Sequence, residues 1–212
     1  MKILLITDIH GNLKKFREIL NNYEGELIFI SGDITNFGPS SLIEELDEIL
    51  ADHSCIAYSV PGNCDQKDIV GYMKRARNII NLHGTKTTLG EFDIYGVGGS
   101  NPTPFQTPFE LREDEIEILI KKFLIDHPTR KSILISHAPP HGILDRVPAG
   151  HVGSRSIKMH MGVFDIIICG HIHEQPGIKK INNTLVVNPG PALMGYYGIM
   201  DSDSVTVELK KV

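Results

Sequence analysis

A chain of 212 residues with 41% hydrophobic and 22% charged side chains suits one domain, 1–212, able to bury about 70% of its unfolded surface around a single core. A formal net charge of -5 at pH 7 and the lack of any Lys/Arg cluster longer than a pair exclude a nucleic-acid groove built on basic side chains. No apolar run approaches a membrane span, the opening one is too short for a signal peptide, and the three cysteines, Cys55, Cys64 and Cys169, fit neither zinc nor disulfide spacing, so a cytoplasmic, reducing setting away from membranes is expected.

The apolar run 3–6 stops at Thr7 and is followed by Asp8-Ile9-His10 and the turn pair Gly11-Asn12; it is a buried strand by pattern, ending in two metal-ligand residue types. In extended chain, residues i and i+2 point the same way, which sets Asp8 and His10 on one face. Asn12 can cap a helix with Leu13, Phe16, Ile19 and Leu20 inward. A second strand, 26–30, runs into Ser31-Gly32-Asp33, and a helix with Leu42, Ile43, Leu46, Ile49 and Leu50 inward follows. A third strand, 55–60, ends at Pro61-Gly62-Asn63. Short right-handed crossovers make these strands parallel. Asp65 is placed to cap a third helix.

Segments 85–89 and 91–97 flank Gly90 as a hairpin. The prolines and glycines of 98–108 exclude regular structure there, leaving either a flank for a substrate or a stiff connector over the sheet edge. A helical stripe of Ile116, Leu119, Ile120, Phe123 and Leu124 runs through 111–125 and is ended by Asp126-His127-Pro128. The strand 132–136 ends at His137. A long excursion, 138–161, then brings His141, His151 and His160 as a candidate substrate wall. The strand 165–170 ends at His171-Ile172-His173, and 178–181, 184–187 and 204–209 are short strands joined by turns. Two β-rich halves imply an α/β fold of two packed mixed β-sheets flanked by helices.

One Asp or His after a strand is ordinarily a turn residue or a cap. Here every such run ends in a carboxylate, an amide or an imidazole, and in α/β sheets the carboxyl ends of strands are where distant parts of the chain converge on a ligand. In order, the strand ends spell Asp8-x-His10, Gly32-Asp33, Gly62-Asn63-Cys64-Asp65, His137 and Gly170-His171-x-His173. This series resembles the calcineurin-like metallophosphoesterase family, whose blocks run Asp-x-His, Gly-Asp, Gly-Asn-His-Asp/Glu, His and Gly-His-x-His in this order. The resemblance extends from Asp8 into the Asn188-Pro189-Gly190 turn.

The resemblance implies an αββα sandwich and a dinuclear metal centre: Asp8, His10 and His173 on one ion, Asn63, His137 and His171 on the other, and Asp33 bridging. A bridging carboxylate can hold two ions roughly 3.5–4 Å apart, and water between them becomes hydroxide near neutral pH. The implied reaction is in-line attack of that hydroxide on the phosphorus of a phosphomonoester or phosphodiester, with Asp33 and Asn63 as catalytic positions and a small phosphate ester as the partner. Two divalent ions less two aspartates and one hydroxide leave about +1 in the pocket, which lets an acidic chain attract phosphate. Mixed imidazole, amide and carboxylate donors suit Mn, the expected occupant, or Fe, Ni, Co or Zn, better than Ca or Mg.

The chain departs from the family at one position. Cys64 stands where the family has the histidine thought to protonate the leaving group, and Asp65 keeps its place without that partner, left as a helix cap. A thiol beside cations is expected as thiolate at neutral pH, unable to donate; His141 is the alternative donor. The competing expectation is an interaction scaffold, the fate of a retromer subunit with this fold that has lost catalytic residues. Every ligand position here holds a competent residue, which favours the enzyme.

Overall fold

The computed structural model describes residues 1–124 and 130–212. In chain order the elements are β1 (Lys2–Ile6), α1 (Leu13–Leu20), β2 (Leu27–Ser31), α2 (Leu42–Asp52), β3 (Ile56–Val60), α3 (Ile69–Met73), β4 (Ile79–Asn81), β5 (Lys86–Leu89), β6 (Phe92–Val97) and α4 (Glu113–Leu124). They continue with β7 (Lys131–Ser136), β8 (Arg146–Val147), β9 (Gly150–His151), α5 (Arg155–His160), β10 (Ile166–Ile168), β11 (Gly177–Ile181), β12 (Thr184–Asn188), β13 (Tyr196–Asp201) and β14 (Thr206–Lys211).

Two six-stranded sheets carry the fold, in the orders β14-β13-β1-β2-β3-β4 and β11-β12-β10-β7-β6-β5. Strands β1 to β4 are parallel, as are β12, β10, β7 and β6, while β13, β14, β11 and β5 pair antiparallel. Both sheets are therefore mixed, and each face has its own apolar filling. Ile3, Leu5, Phe29, Ile133, Ile166 and Ile168 fill the space between the sheets. The opposite faces pack on α1, α2 and α3 in one sheet and on α4 and α5 in the other. Core strands buried on both sides are apolar at consecutive positions, which is why β1, β2 and β10 stand out in the sequence.

Asn12 caps α1, its Oδ1 accepting from Lys15 N at 3.1 Å. The expected hairpin is β5–β6. Helix α4 begins two residues later than the apolar stripe suggests, because Leu111 N donates to Ser100 O at 2.8 Å and holds the chain in a bridge; its expected stop at Asp126-His127-Pro128 lies outside the described residues. The elements β4, β8, β9, α5 and β13 were not anticipated. The side-chain pattern of β13 is broken by Gly198, which lies opposite Leu5 of β1, where an added Cβ would come 3.3 Å from Leu5 Cβ. The β8–β9 pair and α5 lie in the excursion, where Ser154 Oγ caps α5 by accepting from Ile157 N at 3.2 Å. Among the described residues, no helix is long and apolar enough to cross a membrane.

Ile133 is fully buried between the sheets. Truncation to Ala leaves a cavity that neither sheet can collapse into, so Ile133→Ala is expected to lower the unfolding free energy by about 2–5 kcal/mol, read from urea denaturation at an unchanged slope.

Candidate metal centre

Every sequence-predicted ligand lies just beyond the carboxyl end of a strand. Asp8 and His10 follow β1, Asp33 follows β2, Asn63 follows β3, His137 follows β7, and His171 and His173 follow β10. The route differs from the extended face expected for Asp8 and His10. Both have left-handed backbone, at φ 54 and 46, as do Asp33 at 49 and His171 at 69. Each such residue costs roughly 1–2 kcal/mol, offset here by cross-strand bonds: Asp8 N donates to Gly32 O at 3.0 Å and His10 N to Asp33 O at 2.8 Å. The turns fold the loops over one another, and the side chains meet in the middle.

The motif glycines make that meeting sterically feasible. A Cβ on Gly32 would lie 2.6 Å from Gly62 N and 2.7 Å from His137 Nδ1, one on Gly62 would collide with Asp33 Oδ1, and one on Gly170 would collide with Thr7 Oγ1. Sequence reasoning carried these glycines only as motif letters. It also missed Thr7, whose Oγ1 donates to Asp8 Oδ2 at 2.7 Å, and Thr107, whose Oγ1 accepts from Asn63 Nδ2 at 3.1 Å. Thr7 had a usable position, next to a ligand; Thr107 had none.

The side chains converge without satisfying each other. Asp8 Oδ2 also accepts from His171 N at 3.1 Å, but Asp8 Oδ1 is buried and makes no hydrogen bond, although His173 Nε2 lies 3.2 Å and His10 Nε2 3.7 Å away. Asp33 Oδ2 lies 3.6 Å from His10 Nε2 and 3.4 Å from His137 Nε2, while its Oδ1 accepts from Cys64 N at 2.8 Å. His137 Nδ1 is 2.7 Å from Ser31 O, which can only accept, so the Nδ1 proton is committed and Nε2 is left for the pocket. That Nε2 then faces Asn63 Oδ1 at 2.9 Å. A neutral imidazole nitrogen and an amide oxygen, both acceptors, are repulsive at that distance unless a cation or a proton lies between them. The ring of His171 packs against His137 edge to face at 5.0 Å.

The electrostatics ask for the same positive charge. Burial alone would raise Asp8 and Asp33, yet the imidazoles of His173 and His137 hold both carboxyls below the ordinary range. Burial alone would lower His137, yet Asp33 beside it carries its pKa up to about 9. Burial, with His137 adding to it, pushes His171 down to about 4. In the metal-free protein the His137 proton supplies the charge that a cation would bring. Ligand atoms of Asp8, His10 and His173, of Asp8, Asp33 and His137, and of His10, Asp33 and Cys64 each lie within 4.8 Å of one another. The donor set fits divalent transition metals: an orphaned carboxylate oxygen, converging imidazole nitrogens and one amide oxygen.

One expectation at the Asn63-Cys64-Asp65 block is corrected. Asp65 is no helix cap. It is fully buried, accepting from Gly62 N, Thr35 N, Thr35 Oγ1 and Ile34 N at 2.7–3.2 Å, and so clamps the β2 loop to the β3 loop. Helix α3 starts only after Asp68, whose carboxylate instead accepts from Ser40 Oγ at 2.6 Å. Burial and Asp33 raise the Asp65 pKa to about 6. With no ion present, burial, then the Asp33 and Asp65 carboxylates, push the Cys64 thiol well above the ordinary value.

A cavity of about 670 Å³ opens beside Asn63 and His171. The loop 98–108 forms one wall through Thr103 and Phe105, and the excursion forms the other through His141 and His151. The loop flanks the cavity and is more than a connector. His160, expected in the wall, instead faces Glu117 on α4, with Nε2 3.4 Å from Oε1.

Comparison with known proteins identifies the family and the fold. The calcineurin-like phosphoesterase family model matches residues 1–175. An uncharacterized protein of Methanocaldococcus jannaschii is 38% identical over 200 residues, 90% of this chain and 88% of its own. A probable cyclic nucleotide phosphodiesterase of Vesicomyosocius okutanii is 22% identical over 224 residues, 93% of this chain and 88% of its own. The crystal structure of a Thermus thermophilus protein has the same fold, with a TM-score of 0.78 at 19% identity over 99% of this chain and 98% of that one.

The histidine charge makes metal-free stability depend on pH. The folded pKa of His137, about 9, stands above the unfolded value near 6.5. Its contribution is therefore complete below about pH 6.5 and is lost as pH rises toward 9. Chelated protein should melt at a lower temperature at pH 8.5 than at pH 6.5, and saturating Mn²⁺ under argon, which replaces the proton's charge, should shrink the difference. Separately, Gly62→Ala is expected to displace the Asp33 carboxylate and lower bound metal in elemental analysis, whereas Gly162→Ala, where a Cβ meets nothing within 4 Å, leaves it unchanged.

Proposed function

We propose that this chain, which belongs to the calcineurin-like phosphoesterase family, is a dinuclear-metal hydrolase of small phosphate esters. Asp8, His10 and His173 would hold one ion, Asn63, His137 and His171 the other, and Asp33 would serve both. The observation that carries this reading is the position of Asp33 Oδ2, between His10 Nε2 at 3.6 Å and His137 Nε2 at 3.4 Å. One carboxylate oxygen sits between imidazoles of both sets. When bound, the ions supply Lewis acidity that lowers the pKa of water and neutralises phosphate oxygens. Mn²⁺ is the proposed occupant on the mixed nitrogen and oxygen donor set.

The chain's own residues set the geometry around those ions. Ser31 O fixes the His137 tautomer, Thr7 and the His171 amide hold Asp8 Oδ2 so that Oδ1 points into the pocket, and Cys64 N holds Asp33 Oδ1. Asn63 Nδ2 donates to Thr107 Oγ1 at 3.1 Å and to Cys64 Sγ at 3.6 Å, and the weak sulfur bond is the one a phosphate oxygen would replace. The cavity of about 670 Å³ far exceeds what a phosphate needs and takes a leaving group of nucleoside size against Phe105, Ile172 and the excursion wall. The name of the Vesicomyosocius okutanii relative, a probable cyclic nucleotide phosphodiesterase, supports diesters among the substrates.

Hydrolysis of nitrophenyl phosphate esters should vanish on chelation and return with Mn²⁺. Asp33→Asn should lower both metal content and turnover, the latter by at least about 10²–10³-fold, and more than Asn63→Ala does, because Asn63 serves one ion only. Full activity after exhaustive chelation, with metal shown absent, would defeat the reading, as would normal loading of two ions in Asp33→Asn.

A further inference from the structure

The excursion wall carries a second cluster of titratable groups, outside the candidate centre. Asp145 is fully buried, and its Oδ2 accepts from Gly142 N and Gly153 N, each at 2.9 Å. Its Oδ1 lies 2.6 Å from His151 Nδ1. Against a carboxylate the ring nitrogen is the donor, so the Nδ1 proton of His151 is committed to Asp145, and Nε2 is the ring nitrogen left for a substrate. His141 is held less firmly: its Nδ1 is 3.9 Å from Asp145 Oδ2, beyond hydrogen-bond reach, and its ring meets that of His151 edge to face at 5.8 Å. Both imidazoles remain partly exposed, at 36% for His141 and 42% for His151, and both line the cavity that Asn63 and His171 line. His151 rides on the β8–β9 pair, opposite Arg146. A buried carboxylate clamped by two backbone N–H groups, holding one imidazole by one nitrogen at the edge of a reaction cavity, is the arrangement of an oriented proton donor.

Ester cleavage leaves such a donor a task. An aryl oxide departs readily, whereas an alkoxide needs a proton as its bond to phosphorus breaks. Cys64 stands in the position next to Asn63, with Asp33 against its backbone N–H and Asn63 Nδ2 at 3.6 Å from its Sγ, and the hydrogen bonds of Asp65 go to Ile34, Thr35 and Gly62 rather than to an imidazole. We infer that His151, positioned by Asp145, protonates the leaving-group oxygen. The inference rests on the phosphoesterase reading above. In the step, the oxygen of water forms the new bond to phosphorus as the old phosphorus–oxygen bond breaks. The electron pair of that bond stays on the departing oxygen and takes the Nε2 proton of the His151 imidazolium. The proton released by the attacking water passes to solvent, from which the imidazole is reprotonated, so the sum is ester plus water giving alcohol plus phosphate.

The test compares kcat/KM of metal-matched proteins on phosphate esters whose leaving groups run from nitrophenol to primary alcohols. His151→Gln is expected to lower alkyl-ester hydrolysis by about 10²–10⁴-fold and nitrophenyl-ester hydrolysis by less than about tenfold, steepening the dependence on leaving-group basicity. His160→Gln, away from the cavity, should change neither. Equal loss on both ester classes, or no loss on alkyl esters, overturns the assignment; so does a selective alkyl loss in His141→Gln with His151→Gln unaffected. Wild-type protein that hydrolyses none of the esters, nitrophenyl included, overturns the phosphoesterase reading itself and this inference with it. For Asp145 the readout is independent of turnover. Nitrogen-15 NMR of the imidazoles in metal-free protein should show His151 protonated at Nδ1, with a hydrogen-bonded ring proton far downfield, and a His151 protonated only at Nε2 removes the positioning role.

Discussion

The bond from His137 Nδ1–H to the Ser31 carbonyl, 2.7 Å long, crosses from one sheet to the other at the point where the centre forms. Ser31 ends β2 and His137 follows β7, so this contact fixes the spacing of the two sheets at their carboxyl ends as well as the tautomer of a candidate ligand. Such close approach tolerates no side chain at Gly32, whose Cβ would stand 2.7 Å from the same nitrogen. Packing and chemistry are thus set by one hydrogen bond, and a shift of either sheet changes both together.

Around that contact, the chain assembles acceptors faster than it can satisfy them. Asp8 Oδ1 is buried without a donor, and Asn63 Oδ1 is satisfied only when a second proton or a cation sits at His137 Nε2, the first ring proton being spent on Ser31. In most interiors such groups would be a defect of several kcal/mol. Here they are mutually arranged, and the upward shift of His137 together with the downward shifts of Asp8 and Asp33 expresses the same demand for positive charge. Left-handed backbone at Asp8, His10, Asp33 and His171 belongs to that demand too, since extended chain would carry these side chains apart.

Much of this was legible in the sequence because strands buried on both faces leave unbroken apolar runs, and whatever polar residue ends the run is conspicuous. That logic found Asp8, His10, Asp33, Asn63, His137, His171 and His173 and the mixed two-sheet fold. It did not extend to contacts between loops. Asp65 looks like a cap in one dimension, and only the fold shows Ile34, Thr35 and Gly62 donating to it. Strand β13 was hidden by Gly198, whose missing side chain makes room for Leu5. In the excursion, prolines and glycines erase any period, so nothing in the sequence separates His151, which faces Asp145 and the cavity, from His160, which faces α4.

The return of the chain to its first sheet has a consequence for the order of assembly. Strand β13 lies between β1 and β14, and just before it Ala192 N donates to Thr7 O and Leu193 N to Asp8 O. On a ribosome, β1 emerges first and then waits as an open edge while the rest of both sheets is synthesised. The backbone that carries Asp8 is closed on its outer side only when residues 191–201 arrive. The matched family region ends at 175, yet the stretch beyond it acts as the clasp on the first ligand loop. Vectorial synthesis therefore delivers the clasp on the Asp8 loop only after every candidate ligand, the last being His173, has been made.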